Sequence, residues 1–161
     1  MRSRKAACPV KRRTLIGVIG SGRCDGGLAA LAETTGRLVA EAGMGLVCGG
    51  LGGVMEAAAR GAKQAGGLTV GILPGPDPAE ANPYIDVAIP TGMGEMRNAL
   101  IVRASAALIA VGGGAGTLSE IALALKTGKP VTGLRTWEIP GVVKADTAER
   151  AVALALGESG P

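Results

Sequence analysis

The residues best suited to chemistry in this chain are an arginine and a glutamate, Arg97 and Glu120, 23 positions apart. Immediately before the glutamate runs Gly112-Gly113-Gly114-Ala115-Gly116-Thr117, four glycines in five residues and then a hydroxyl. An apolar run, Ala106 to Val111, precedes the glycines. After them Leu118, Ile121, Ala122 and Leu125 recur at helical spacing. The glycines therefore join the end of a strand to the start of a helix. The first N–H groups of a helix lack partners and carry partial positive charge, and glycine lets an anion come close to them. Gly113, Gly114, Gly116 and Thr117 thus outline a phosphate cradle. Arg97 is a cation able to hold phosphate or a leaving group bidentately, and Glu120 a carboxylate able to steady positive charge on a sugar or to orient water. The same residues have plainer readings. Thr117-x-x-Glu120 is a capping box, and Arg97 is a solvated charge on a helix with Leu100, Ile101 and Ala104.

Two further glycine clusters follow apolar runs, Gly20-Ser21-Gly22 and Gly49-Gly50-Leu51-Gly52-Gly53. Gly20, Ser21, Gly49 and Gly50 are candidate contacts to a phosphate or ribose. Neither cluster fits a better-known nucleotide motif. After Gly20-x-Gly22 the third glycine of a dinucleotide fingerprint is replaced by Asp25. The second run ends Val47-Cys48-Gly49-Gly50, without the acid that holds a ribose hydroxyl. A Walker A loop needs Gly-Lys-Ser/Thr, which is absent. The chain has no histidine, which excludes Ser-His-Asp and Cys-His nucleophiles and His-containing metal sites. Cys8, Cys24 and Cys48 are too few and too scattered for a zinc site or a disulfide framework. No metal and no resident cofactor is expected. Lys63, Lys126 and Lys129 lie in helical or turn contexts typical of surface charge, which argues against pyridoxal-phosphate chemistry.

The elements that must position these residues alternate along the chain. Strands are expected at Thr14–Ile19, Gly45–Cys48, Leu68–Leu73, Ile85–Ile89, Ala106–Val111 and Val131–Leu134. Helices are expected at about Leu28–Ala42, Val54–Ala65, Gly94–Ala104, from the glycine loop to Thr127, and Asp146–Leu156. This alternation predicts a single α/β domain, a Rossmann-like doubly wound parallel sheet with helices on both faces. Ligands of such sheets bind beyond the carboxyl ends of the strands, where all three glycine loops fall.

The 161 residues suggest one domain, spanning 14–157, behind a basic flexible tail at 1–13. The net charge is +4, and that tail holds six cations and no acid, so the remainder, at 4 − 6 = −2, has no basic face for nucleic acid. Aromatics are limited to Tyr84 and Trp137, the only surfaces on which a planar base can stack. The tail lacks the apolar stretch of a secretory signal, and no run is long enough to span a membrane, so neither nucleic acid nor membrane is an expected partner and the cytoplasm is the expected location.

Gly113-Gly114-Ala115-Gly116-Thr117-Leu118-Ser119-Glu120 resembles the Pro-Gly-Gly-x-Gly-Thr-x-x-Glu motif of the Lonely Guy phosphoribohydrolases, a family often labelled lysine decarboxylases. Arg97 stands at the arginine of that family's Arg-Lys pair with the same spacing to the glutamate. Gly49-Gly50 through Met55, Val70-Gly71-Ile72-Leu73-Pro74 and Gly20-Ser21 also fit, so the resemblance covers about 14–157. Gly113 stands where the motif has Pro and Asn98 where the pair has Lys. With Gly94-Glu95-Met96-Arg97-Asn98 and Gly112-Gly113-Gly114, the chain looks closer to a sister branch that includes the molybdenum-cofactor carrier protein. The resemblance implies hydrolysis of the N-glycosidic bond of a nucleoside 5′-monophosphate, with Arg97 and Glu120 catalytic. Alternatively it implies a carrier or sensor of a phosphorylated cofactor such as the molybdenum cofactor, using the same anion sites without turnover. It also implies a homo-oligomer, a dimer or tetramer, for which the Met-bearing helix around Met93–Ala104 offers a face.

Overall fold

The structure, a computed structural model, describes residues 10–158. Seven strands form one sheet: β1 (Leu15–Gly20), β2 (Gly45–Cys48), β3 (Thr69–Leu73), β4 (Val87–Pro90), β5 (Ala107–Val111), β6 (Val131–Leu134) and β7 (Val142–Ala145). The helices are α1 (Gly26–Glu41), α2 (Val54–Gln64), α3 (Asn98–Ala104), α4 (Ala115–Lys126) and α5 (Ala148–Ala155), with short 3₁₀ turns at Pro78–Glu80 and Gly94–Arg97. The strand order is β4-β3-β2-β1-β5-β6-β7, and every neighbouring pair is parallel. The chain starts at the centre, winds outward to β4, then returns across β1 to β5 and winds outward the other way. This is the expected doubly wound sheet, and its order reverses between β1 and β5, where the loops leaving the two strands diverge.

Alternation along the strands divides the core into two layers. Ile16 and Val18 of β1, Leu46 and Cys48 of β2, and Ala107, Ile109 and Val111 of β5 pack with buried residues of α1, α2 and α5. Ile19, Val47, Leu108 and Ala110 point the other way, onto Ile101 and Val102 of α3 and Ile121 and Ala124 of α4. Both faces are covered, which is why the central strands read as unbroken apolar runs. Helices α1 and α2 cross so closely that a Cβ on Gly36 would stand 1.9 Å from the Ala58 carbonyl oxygen, and one on Gly61 1.9 Å from that of Glu33. The Arg60–Glu33 ion pair, 2.8 Å, clasps the same crossing.

Several local expectations are corrected. β7 was not expected. It is an edge strand of four residues, Val142-Val143-Lys144-Ala145, half exposed, with a charge in place of apolar alternation. β4 begins at Val87 rather than Ile85, because the Ile85 N–H closes a turn on the Asn82 carbonyl and Asp86 turns back to Thr69. The helix expected over 94–104 is a 3₁₀ turn followed by α3. The last helix starts at Ala148, capped by Thr147, which accepts from the Arg150 N–H at 3.2 Å. Most of the basic tail lies outside the described residues, and residues 10–13 are exposed. Among the described residues no helix is long and apolar enough to cross a membrane, and no group of three or more His, Cys, Asp and Glu side chains could hold a metal.

Candidate functional site at the switch of strand order

A cavity of about 280 Å³ opens at the point where the strand order reverses. Gly20, Ser21 and Gly22 after β1 form one wall, and Leu51 and Met55 after β2 another. The 3₁₀ turn and the start of α3 bring Glu95, Arg97 and Asn98, and the start of α4 brings residues from Gly114 to Thr117 together with Glu120. The loops are braced against each other: the Val54 N–H donates to the Ser21 carbonyl at 3.0 Å.

Arg97 is 6 % exposed and is not the solvated helical charge of the plainer reading. Its Nε donates to the Ile72 carbonyl at 2.8 Å, Nη2 to the Gly49 carbonyl at 3.4 Å, and Nη1 to the Asn98 side chain. Three of the five guanidinium N–H groups are thereby fixed, and two remain for a ligand. No carboxylate lies within ion-pairing distance of Arg97 among the described residues. Asn98 passes the constraint on: its Nδ2 donates to Ser119 Oγ at 3.1 Å, and Ser119 donates to the Gly116 carbonyl at 2.6 Å. The cation and the start of α4 are thus held by one network.

The capping box is corrected. α4 begins at Ala115 with Gly114 as N-cap, so Thr117 is the third helical residue rather than the cap. Thr117 Oγ1 accepts from the Gly114 N–H at 3.3 Å, while Glu120 lies a turn further along and caps nothing. The amides of Ala115, Gly116 and Thr117 remain as the unpaired donors of a helix start. Glu120 is 6 % exposed. Burial pushes its carboxyl up to about 8, against the pull of Arg97 and with a smaller push from Glu95.

Of the residues expected at the site, Gly20, Ser21, Arg97, Gly114, Gly116, Thr117 and Glu120 line this cavity. Gly49, Gly50 and Gly113 do not. Gly49 sits behind Arg97, where a Cβ would meet Nη2 at 2.6 Å, so its lack of a side chain makes room for the guanidinium. Gly50 takes a positive φ of +76° and turns away, its carbonyl accepting from Asn82. Gly113, at φ +144°, is wedged between Trp137 and Thr117 and faces a different cleft. Sequence reasoning missed Glu95 and Asn98 as lining residues. Their spacing of three puts them on one side of any helical turn, but which side faces the cavity is set by the packing of the 3₁₀ turn and α3, which periodicity does not reveal. Leu51 and Met55 are apolar and carried no chemical signal.

The family model described as the SLOG cluster4 family matches residues 13–158. The chain belongs to this family. A protein of Archaeoglobus fulgidus, described only as uncharacterized, is 50 % identical over 145 residues, covering 89 % of this chain and 95 % of its own. The molybdenum cofactor binding protein of Rippkaea orientalis superposes with a TM-score of 0.87 at 38 % identity, over 92 % of this chain and 98 % of that one. The molybdenum cofactor carrier protein of Chlamydomonas reinhardtii does so with a TM-score of 0.83 at 35 % identity, over 91 % and 98 %. This SLOG protein therefore lies in the Lonely Guy-like superfamily, in the branch that contains the molybdenum-cofactor carriers.

Proposed function

We propose that this SLOG protein holds a phosphorylated small molecule in the switch-point cavity, and that it carries a phosphorylated cofactor of the molybdenum-cofactor class without turning it over. The observation that carries this reading is the likeness in sequence and fold to the Rippkaea and Chlamydomonas proteins, at 38 % and 35 % identity over nine-tenths of the chain. With its carboxyl pushed up to about 8, Glu120 is mostly protonated at neutral pH. A neutral acid is the form that protonates a leaving group in glycosidic cleavage, and it is equally a hydrogen-bond donor to a bound phosphate. It does not repel an anion, and it adds a donor to the two free N–H groups of Arg97 and the amides of Ala115, Gly116 and Thr117. A bound phosphate raises its proton affinity further. The cargo of the Rippkaea and Chlamydomonas relatives supports the same reading. Assembly into a homo-oligomer is part of it: Met93, Met96 and Leu100 are 45 %, 73 % and 38 % exposed beside the cavity mouth, an apolar face for a second copy.

The alternative, hydrolysis of a nucleoside 5′-monophosphate, is favoured by one fact: Arg97 and Glu120 line the same cavity. Incubation with molybdenum cofactor released from a molybdoenzyme, followed by gel filtration, is expected to show the cofactor co-eluting. Incubation with AMP is expected to release no adenine. Adenine release that disappears in Glu120→Gln would overturn the carrier reading in favour of the hydrolase.

A further inference from the structure

Ser119 is exposed and is not among the residues lining the Arg97–Glu120 cavity. It stands, however, in the middle of the hydrogen-bond chain that joins the two anion-handling parts of that cavity. Arg97 Nη1 donates to Asn98 Oδ1. Asn98 Nδ2 donates to Ser119 Oγ at 3.1 Å, and Ser119 Oγ donates to the Gly116 carbonyl at 2.6 Å. The chain therefore runs from the guanidinium on one element to the first turn of α4 on another.

No other contact ties these two elements in a fixed direction. The remaining bonds of Arg97, to the Ile72 and Gly49 carbonyls, hold it against β3 and the loop after β2. Among the described residues, the Asn98–Ser119 bond is the only side-chain hydrogen bond between residues 94–104 and α4. The rest of that contact is apolar, with Ile101 and Val102 in one layer with Ile121 and Ala124. Apolar burial has no preferred direction, whereas a hydrogen bond weakens steeply when misaligned. Asn98, 7 % exposed, is suited to the link because its amide accepts at one atom and donates at the other. Ser119 gives α4 nothing that alanine would not. Serine is the poorer helix former, and its bond back to the Gly116 carbonyl is of the kind that slightly weakens a helix.

We propose that Ser119 is a positioning residue for the anion site. Acting through Asn98, it fixes the Arg97 guanidinium relative to the amides of Ala115, Gly116 and Thr117, so that one phosphate meets both at once. This role rests on the reading that the cavity holds a phosphorylated molecule. Donors already spaced for the ligand spare it the cost of ordering them on binding, and Ser119 does this without touching the ligand.

A phosphorus NMR titration with inorganic phosphate tests the role. Ser119→Ala is expected to bind about two- to tenfold more weakly than the parent, the worth of one hydrogen bond, while melting no lower. Ser119→Thr returns the hydroxyl and is expected to restore the parent affinity. Asn98→Ala breaks the same chain, so adding Ser119→Ala to it is expected to cost nothing further, whereas independent contributions would multiply. Parent affinity in Ser119→Ala, or a full further loss in the double variant, would overturn the role of Ser119. So would a fall in both affinity and melting temperature that Ser119→Thr does not reverse, which would mark damage to α4. A parent protein that takes up no phosphate would overturn the reading of the cavity itself. Phosphate binding that is indifferent to Ser119 would leave that reading standing and overturn the positioning role alone.

Discussion

At the scale of single residues, burial has set the protonation of two groups near the switch point. Glu120 ionises near 8 in the folded protein and near 4.5 when unfolded. A proton held more tightly by the folded state stabilises it fully below the unfolded value, and that contribution is lost as pH rises through the folded value. At about 1.36 kcal/mol per pKa unit the full swing is roughly 5 kcal/mol. Urea unfolding between pH 4.5 and 8.5 should therefore show stability falling with pH, and Glu120→Gln should flatten that slope. An unchanged slope would mean that Glu120 is not the group responsible. Burial likewise pushes the Cys48 thiol up to about 12, outweighing the Gly50 N–H it accepts at 3.4 Å. A thiolate is the reactive form. Cys48 should resist iodoacetamide in the native protein at pH 8 and become labelled only on unfolding, as peptide mapping would show. Arg97 and Glu120 stand out in the sequence by type and spacing. Their burial does not, because Arg97 is shielded by the Ile72 and Gly49 carbonyls, 25 and 48 positions away.

At the scale of elements, the α1–α2 crossing inverts an ordinary rule. Replacing a helix-interior glycine by alanine normally gains about 1 kcal/mol. Gly61→Ala would instead drive a methyl to 1.9 Å from the Glu33 carbonyl oxygen and push the two helices apart. Overpacking of this kind costs about 1–3 kcal/mol, so the urea midpoint should fall, whereas Gly66→Ala lacks any neighbour within 4 Å and tests only its φ of +72°. The mis-read start of α4 belongs here too. Ser/Thr-x-x-Glu reads as a cap wherever it occurs. Here Gly114 takes the cap position, with its N–H on Thr117, and the helix begins three residues earlier, leaving Glu120 free to face the cavity. β7 escaped notice because an edge strand exposed on one side need not be apolar, and Lys144 with Val143 gives no alternation to detect.

Across the whole molecule, opposing titrations bound the range of greatest stability. Side-chain hydrogen bonds from Arg60 hold Glu33 below its usual range, outweighing partial burial. At Asp86, burial alone would raise the carboxyl, but Lys63 and Thr69 together bring it below the usual range. Depressed carboxylates stabilise the fold above their unfolded values, near 4.5 and 3.8, and this is lost as pH falls through the folded ones. With Glu120 acting in the opposite sense at higher pH, thermal midpoints should peak in the mildly acidic range and drop on both sides. The Lys63–Asp86 and Arg60–Glu33 pairs are partly exposed, so the acid limb should weaken in high salt. The proposed assembly makes a separate demand. If Met93, Met96 and Leu100 cover a second copy, sedimentation should show an oligomer for the parent and a monomer for Met96→Glu, with the thermal midpoint of the monomer little changed because Met96 is 73 % exposed in the single chain.

The sequence by itself determined the alternation of strands and helices, the parallel sheet and the three glycine loops at its carboxyl edge, because local periodicity and glycine punctuation act over neighbouring residues. It also separated the few groups able to handle an anion from the many that pack. Only the tertiary structure decided which of them meet. The reversal of strand order between β1 and β5 draws the loops of distant segments to one mouth, buries a guanidinium among carbonyls and desolvates a carboxyl beside it. It also turns Gly113 and Trp137 toward a different cleft. Proximity and burial are properties of the packed sheet, and a linear pattern does not encode them.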